Sequence, residues 1–233
     1  MKKILAKTRG ILYIIQFAIT VLCMIVLMYL FRNKNHWLRQ KWAWLQIKIL
    51  GIDIEEVGKR CEDTQLFILN HQSLLDIVLL EYLHTKDIAW IAKLEIEKLP
   101  VFGHIIKAPN MISVNREDKA GLLKLVKDVE NRLAGGRPVA IFPEGTRSSG
   151  TKMLPFKSGA KLVANKFGLK VQPVVILGSR QRLDSVNLTS ISGKVKIIYL
   201  EPVIASKDTD WFKDAEKQMN DVFSQEMAQW DEK

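Results

Sequence analysis

The hydrophobic rhythm of the chain changes near residue 50. Before it come an uncharged run, residues 10–31, polar only at Gln16 and Thr20 apart from Tyr13 and Tyr29, and a helical stripe over residues 36–50 in which Leu38, Trp42, Leu45 and Ile49 recur at steps of three and four. Beyond it, short apolar runs alternate with helical periodicities. Runs at 65–69 (QLFIL), 88–92, 110–114, 138–142 (PVAIF), 171–177 and 195–200 have strand length, and several are apolar almost throughout, as in strands buried on both faces. Helical spacing fills 73–84, 118–134, 157–167 and 209–229, the last through Phe212, Ala215, Met219, Val222, Phe223 and Met227. Pro100 and Gly103 interrupt any long period over 94–107, where short helices or a loop are expected. This alternation predicts an α/β fold with a largely parallel or mixed central sheet flanked by helices, preceded by an N-terminal two-helix membrane-anchoring motif. The expected units are residues 1–50, the anchoring helices, and residues 51–233, the α/β domain. Because the first of these strands starts only at Gln65, the domain is expected to keep its core without residues 1–50.

Residues 10–31 carry no charge, and as a helix they are roughly 33 Å long, enough to cross a bilayer. The run is too long for the core of a cleaved signal, and it ends in Phe31-Arg32-Asn33-Lys34 with no small-residue cleavage site. Lys2, Lys3, Lys7 and Arg9 precede it and Arg32, Lys34, Arg39 and Lys41 follow, so charge does not choose a side. A spanning helix and one that dips into a single leaflet both remain open. In the second helix, Trp37, Trp42 and Trp44 stand among Arg39, Lys41 and Lys48, a mixture suited to the headgroup zone.

The charge balance is +10 over 233 residues, with 35 Lys+Arg against 25 Asp+Glu. Such a surface favours anions, among them acidic membrane lipids and phosphate-bearing substrates. Nucleic acid is not expected as a partner, because the basic residues follow the apolar segments and loops and no nucleic-acid-binding pattern is present. The two cysteines, Cys23 and Cys61, cannot build a disulfide framework, and the four histidines show no metal-ligand spacing. Neither a metal nor a cofactor is expected, and the α/β domain is expected to face the cytosol from an inner or cytoplasmic membrane.

Two motifs sit where apolar strands end, the edge at which α/β proteins carry their chemistry. The strand 65–69 runs into Asn70-His71-Gln72-Ser73-Leu74-Leu75-Asp76. Here His71 falls in a turn, and Asp76 near the start of the next helix is able to accept its Nδ1 proton, leaving Nε2 as a base. Ser73 reads as a cap for that helix. The strand 138–142 runs into Pro143-Glu144-Gly145-Thr146-Arg147-Ser148. Gly145 lets backbone N–H groups approach an anion, and Arg147 offers a planar fork of donors that matches phosphate oxygens.

Together the motifs resemble the 1-acylglycerol-3-phosphate O-acyltransferase family, the lysophosphatidic acid acyltransferases. The His-x4-Asp block matches His71 to Asp76, the Glu-Gly-Thr-Arg block Glu144 to Arg147, the intermediate block Met111 to Arg116 (MISVNR), and a proline-containing strand 171–176 (VQPVVI). Order and spacing agree over roughly residues 60–205. The resemblance implies transfer of a fatty acyl group from acyl-CoA or acyl carrier protein to the free hydroxyl of lysophosphatidic acid, forming phosphatidic acid in phospholipid biosynthesis. It implies His71 as base with Asp76 as its partner, and Arg116, Gly145, Thr146 and Arg147 on the acceptor phosphate. Lys93 and Lys157 match further basic positions of the family. Glu144 is expected to shape its loop, since a carboxylate facing a phosphate is repelled. The chain has no Gly-x-Ser-x-Gly elbow, so the acceptor hydroxyl is expected to attack the thioester directly. The 94–107 segment is expected to line the acyl path. A different lysophospholipid acceptor, or a non-catalytic lipid-binding protein of this fold, are the alternatives, and the latter has no need for His71 and Asp76 together.

Overall fold

The computed structural model describes residues 2–115 and 119–230. It opens with a helical hairpin, α1 (Lys2–Leu30) and α2 (Asn35–Leu50), joined by a short 3-10 turn. There follow β1 (Ile52–Val57), β2 (Leu66–Leu69), α3 (Leu75–Leu83), β3 (Ala89–Lys93), α4 (Leu94–Glu97), α5 (His104–Lys107), β4 (Ile112–Val114), α6 (Lys119–Ala134) and β5 (Val139–Ile141). The C-terminal half adds α7 (Gly159–Phe167), β6 (Lys170–Leu177), α8 (Ser179–Arg182), β7 (Leu183–Asp184), β8 (Thr189–Ser190), β9 (Gly193–Tyr199), β10 (Val203–Ile204) and α9 (Trp211–Ala228). Among these residues the main sheet runs β1-β9-β6-β2-β5-β3-β4, with β10 beside β6. Its pairs are parallel except β6 with β9 and β6 with β10. The expected mixed, mostly parallel sheet is therefore the fold.

Successive residues of β2 face opposite ways and define the layers. Leu66 and Ile68 pack with Leu125, Val129, Val163, Met219 and Phe223 beneath α6, α7 and α9. Phe67 and Leu69 pack on the other face with Leu75, Val78 and Leu79 of α3, Ala43, Ile47 and Leu50 of α2, and Tyr13 of α1. No apolar run of strand length marks β1, β7, β8 or β10 in the sequence. In β1 the isoleucines Ile52 and Ile54 alternate with Asp53 and Glu55, an edge-strand pattern with little apolar signal, and Glu55 meets Lys194 (3.2 Å) and Lys196 (3.4 Å) of β9.

The hairpin is built into the domain. Arg39 of α2 is buried and pairs with Glu81 of α3 and with Asp87; Glu81 also accepts the Trp90 indole N–H (2.8 Å), and Arg137 meets Asp87 at 2.9 Å. The change of element type at residue 50 is thus no break in packing. The expected stripe on α2 also divides: Leu38 and Trp42 pack on α1, while Leu45 and Ile49 are exposed beside Trp37 and Trp44. The physical reason is that α2 has neighbours on two sides, so its apolar residues serve two contacts and an outer face. Thr20 of α1 accepts from Trp42 (3.1 Å), Gln46 (3.2 Å) and Gln16 (3.3 Å), which turns the polar residues of the hairpin toward each other.

The helix α1 lies along the domain. At one end Gly10 touches the Leu188 carbonyl so closely that a Cβ there would fall 2.2 Å from the oxygen, and at the other the Tyr29 hydroxyl meets His104 Nδ1 at 2.6 Å. These points are roughly 28 Å apart along the helix. Its outer face, including Ile11, Leu12, Ile15, Ile19, Leu22, Val26 and Leu30, is exposed and apolar.

Candidate active site

Adjacent parallel strands bring the two motifs together. Leu66 and Ile68 of β2 lie in register with Val139 and Ile141 of β5, so both strands end at the same edge and their loops emerge side by side. Asn70 continues β2 by one rung with its side chain, accepting the Ile176 N–H (2.7 Å) and donating to the Ile176 carbonyl (2.8 Å). The backbone is then free to turn at His71.

In that turn the fully buried Asp76 holds three donors on one oxygen: His71 Nδ1 at 2.8 Å, Gln72 N at 2.7 Å and Ser73 N at 2.8 Å. A carboxylate able only to accept fixes the proton on Nδ1 and leaves Nε2 free to take one. The imidazole stacks on Phe142, with centroids 3.8 Å apart and planes 13° from parallel, and Phe142 stacks in turn on Trp90. Ser73 satisfies the Leu75 N–H (3.1 Å), as a residue opening a helix does, but gives its own proton to the Leu183 carbonyl (2.6 Å).

Glu144 ties the second loop to the first. One carboxylate oxygen accepts the His71 N–H (2.6 Å), the other accepts the Leu154 N–H (2.7 Å), and the Ser148 N–H returns to the His71 carbonyl (2.7 Å). Burial pushes its carboxyl up to about 7, helped by the Asp76 charge and opposed by the two backbone bonds. Protonation of Glu144 therefore favours the folded state, and stability should fall as pH rises from the ordinary glutamate range near 4.5 to about 7, then level off. We expect wild type to lose ground against Glu144→Gln over that interval, by an amount on the order of 3 kcal/mol at most. Paired thermal melts across the pH series check this, and a constant difference between the two proteins would contradict it.

Gly145 takes a left-handed backbone (φ 74°), Thr146 is exposed, and Arg147 donates to Ser185 Oγ at 2.5 Å. His71, Glu144, Gly145, Thr146 and Arg147 thus occupy one pair of joined loops, with Asp76 beside them in the first turn of α3. Lys93 is exposed at the end of β3, on the same edge, and Lys157 is exposed with its backbone N–H on the Pro143 carbonyl (2.9 Å). Arg116 lies outside the described residues. Sequence reasoning missed Phe142, Arg180 and Ser185. For Phe142 the signal was present, an aromatic between a strand and a Pro-Glu-Gly turn; Arg180 and Ser185 sit in a stretch with no periodic pattern.

The Acyltransferase family model matches residues 52–177, more than half of the chain. A 1-acyl-sn-glycerol-3-phosphate acyltransferase of Helicobacter pylori is 39% identical over 173 residues, 73% of each protein. A lyso-ornithine lipid O-acyltransferase of Brucella abortus is 32% identical over 171 residues, 68% of this chain and 63% of that protein. The crystal structure of the 1-acyl-sn-glycerophosphate (LPA) acyltransferase PlsC from Thermotoga maritima superposes with a TM-score of 0.78 at 26% identity, covering 100% of both chains. By its sequence blocks, its sheet and these relatives, the chain belongs to the acyltransferase family.

Proposed function

We propose that the protein is a 1-acylglycerol-3-phosphate O-acyltransferase, moving a fatty acyl group from acyl-CoA or acyl carrier protein to lysophosphatidic acid. The observation that carries this reading is the His71–Asp76 pair standing beside the Arg147 loop at the ends of adjacent strands. Acyl transfer to an alcohol needs a base as the oxygen attacks, and His71 Nε2 is the group for it, with Asp76 stabilising the imidazolium that forms. The proton removed from the acceptor hydroxyl passes to His71 and then to the departing thiolate. Gly145, Thr146 and Arg147 receive the acceptor phosphate, with Arg116, Lys93 and Lys157 adding positive charge around it, and Glu144 shapes the loop.

Attachment is monotopic in this reading: α1, held to the domain at both ends, dips its outer apolar face into one leaflet while Lys41 and Lys48 of α2 meet anionic headgroups. The exposed Ile96, Leu99, Val101 and Phe102 precede α5, whose His104 and Ile105 meet α1, and in this reading they line the acyl path. The catalytic edge faces the cytosol, at the inner or cytoplasmic membrane.

The lyso-ornithine lipid relatives favour a second reading, an acceptor without phosphate. Product identification with one thioester and a panel containing lysophosphatidate and lyso-ornithine lipid separates the two. Phosphatidate as the main product is expected, and preferential acylation of the phosphate-free lipid would sink the first reading. In the same assay Arg147→Lys should raise the lysophosphatidate KM about tenfold and leave the thioester KM unchanged, because a point charge cannot reproduce a two-pronged contact. A rise confined to the thioester KM would move Arg147 to the donor side.

A further inference from the structure

The segment after β6 belongs to neither motif, yet it touches both loops. Against the first loop, Ser179 Oγ donates to Gln72 Oε1 (3.4 Å), Arg180 Nη1 donates to the Gln72 carbonyl (3.4 Å), and the Leu183 carbonyl accepts from Ser73 Oγ (2.6 Å). Against the second, Arg180 Nη1 donates to the Ser148 carbonyl (3.3 Å) and Ser185 Oγ accepts from Arg147 (2.5 Å). Arg180 is the member that reaches both loops. Its side chain is 17% exposed, and its Nε faces Asp184 Oδ2 at 3.0 Å.

Asp184 is itself fixed. It accepts the Val186 N–H (2.8 Å), the Asn187 N–H (3.0 Å) and the Asn187 amide (2.7 Å), which holds the turn that carries Ser185. Burial works to raise its carboxyl, but the Asn187 and Val186 bonds and the Arg180 charge outweigh it and keep the group below the usual range. Gly150 lies against the arginine stem with φ 88°, and a Cβ there would stand 2.8 Å from Arg180 Cβ and 2.9 Å from its Cγ. A side chain at 150 would push the guanidinium off its carbonyls. The geometry therefore runs in two directions from one planar group: to the backbone beside His71 and Arg147 through the Gln72 and Ser148 carbonyls, and to the Arg147 side chain through Asp184 and Ser185.

We propose that Arg180 is a positioning residue that sets the placement of Arg147 relative to His71. The proposal rests on the reading of His71 as base and Arg147 as phosphate ligand. Its contacts are the Gln72 and Ser148 carbonyls and Asp184, so in this proposal it acts through its neighbours. A guanidinium has enough fixed donors to serve carbonyls and a carboxylate at once, which an ammonium on a flexible stem does not. Misplacing reacting groups by about 1 Å costs on the order of 10²-fold, so loosening this brace should be visible in catalysis.

The test uses the full chain in detergent–lipid micelles, with lysophosphatidate and acyl-CoA varied in turn. Arg180→Met should lower kcat/KM for lysophosphatidate about 10- to 100-fold with the donor KM within about twofold. Arg180→Lys, which keeps the charge beside Asp184, should recover part of that loss. Ser185→Ala leaves Arg180 and its backbone bonds in place and should reproduce a smaller acceptor effect. The deciding measurement is a double-mutant cycle: in an Arg147→Lys background, Arg180→Met should add no more than about a threefold loss. Losses that multiply in full overturn the proposal, because Arg180 then acts independently of Arg147. A lowered melting temperature with unchanged kinetic constants overturns it too, leaving only a structural brace. If Arg147→Lys alone leaves acceptor kinetics untouched, it is the Arg147 reading that falls, and the proposal falls with it.

Discussion

Replacing His71 by alanine should cost about 10²- to 10⁴-fold in acyl transfer and leave the protein folded and lipid-associated. The turn survives the change because Asp76 keeps the Gln72 and Ser73 N–H donors and Glu144 bonds the backbone of residue 71, not its ring. The ring is only partly buried and its removal opens the site to water more than it empties the core. Loss of rate therefore reports chemistry. Asp76→Asn supplies the companion result: the amide oxygen is able to retain the three donors, yet the imidazolium formed on proton transfer loses its countercharge, so rate falls with the turn in place. The measurements are single-turnover rates on protein whose melting temperature and vesicle binding match wild type. A folded His71→Ala enzyme working near the wild-type rate would refute general-base catalysis at this position.

Deleting residues 1–50 should abolish folding. From the strands alone the domain is expected to stand without them, but α2 supplies Ala43, Ile47 and Leu50 to the layer that contains Phe67, Leu69, Val78 and Leu79. The deletion also removes Arg39, the cation that pairs with Glu81 between α2 and α3. Uncovering that layer returns several large apolar side chains to water at about 1.5–3 kcal/mol each, against a total stability of about 5–15 kcal/mol for an ordinary domain. The truncated chain should aggregate or elute as a broad species with no cooperative melt. A monodisperse product melting within a few degrees of the full chain would mean that α2 is an appendage. Arg39→Met, which keeps the helices and removes only the charge, isolates the ionic contribution.

Local pattern was enough for the elements that bury one or both faces. Strands β2, β5 and β6 appear as apolar runs because helices cover them above and below, and α6, α7 and α9 appear as helical periods because each lays a single apolar stripe on the sheet. The motifs were legible for a related reason. A turn at a strand end that carries His71 with Asp76 five positions on, or Glu144-Gly145-Thr146-Arg147, is short and local, so its chemistry is written in consecutive residues. The His71–Asp76 contact needs only the start of α3 to form, and it is found at 2.8 Å.

What the sequence by itself determined is the alternation that makes a mixed sheet, the apolar character of α1, and the identity of the groups at the sheet edge. Tertiary structure alone decided how those groups meet. β2 and β5 are separated by some seventy positions in the chain and become neighbours only through sheet order, which is set by crossover connections and by the fit of side chains on both faces. The bond from His71 to Glu144, the stack on Phe142 and the reach of Arg180 to Gln72 and Ser148 all follow from that adjacency. The same holds for the hairpin. Its apolar length can be read locally, but which face packs on protein and which is left exposed depends on where α3 and β8 lie, and that is a property of the packed molecule rather than of any window of the chain.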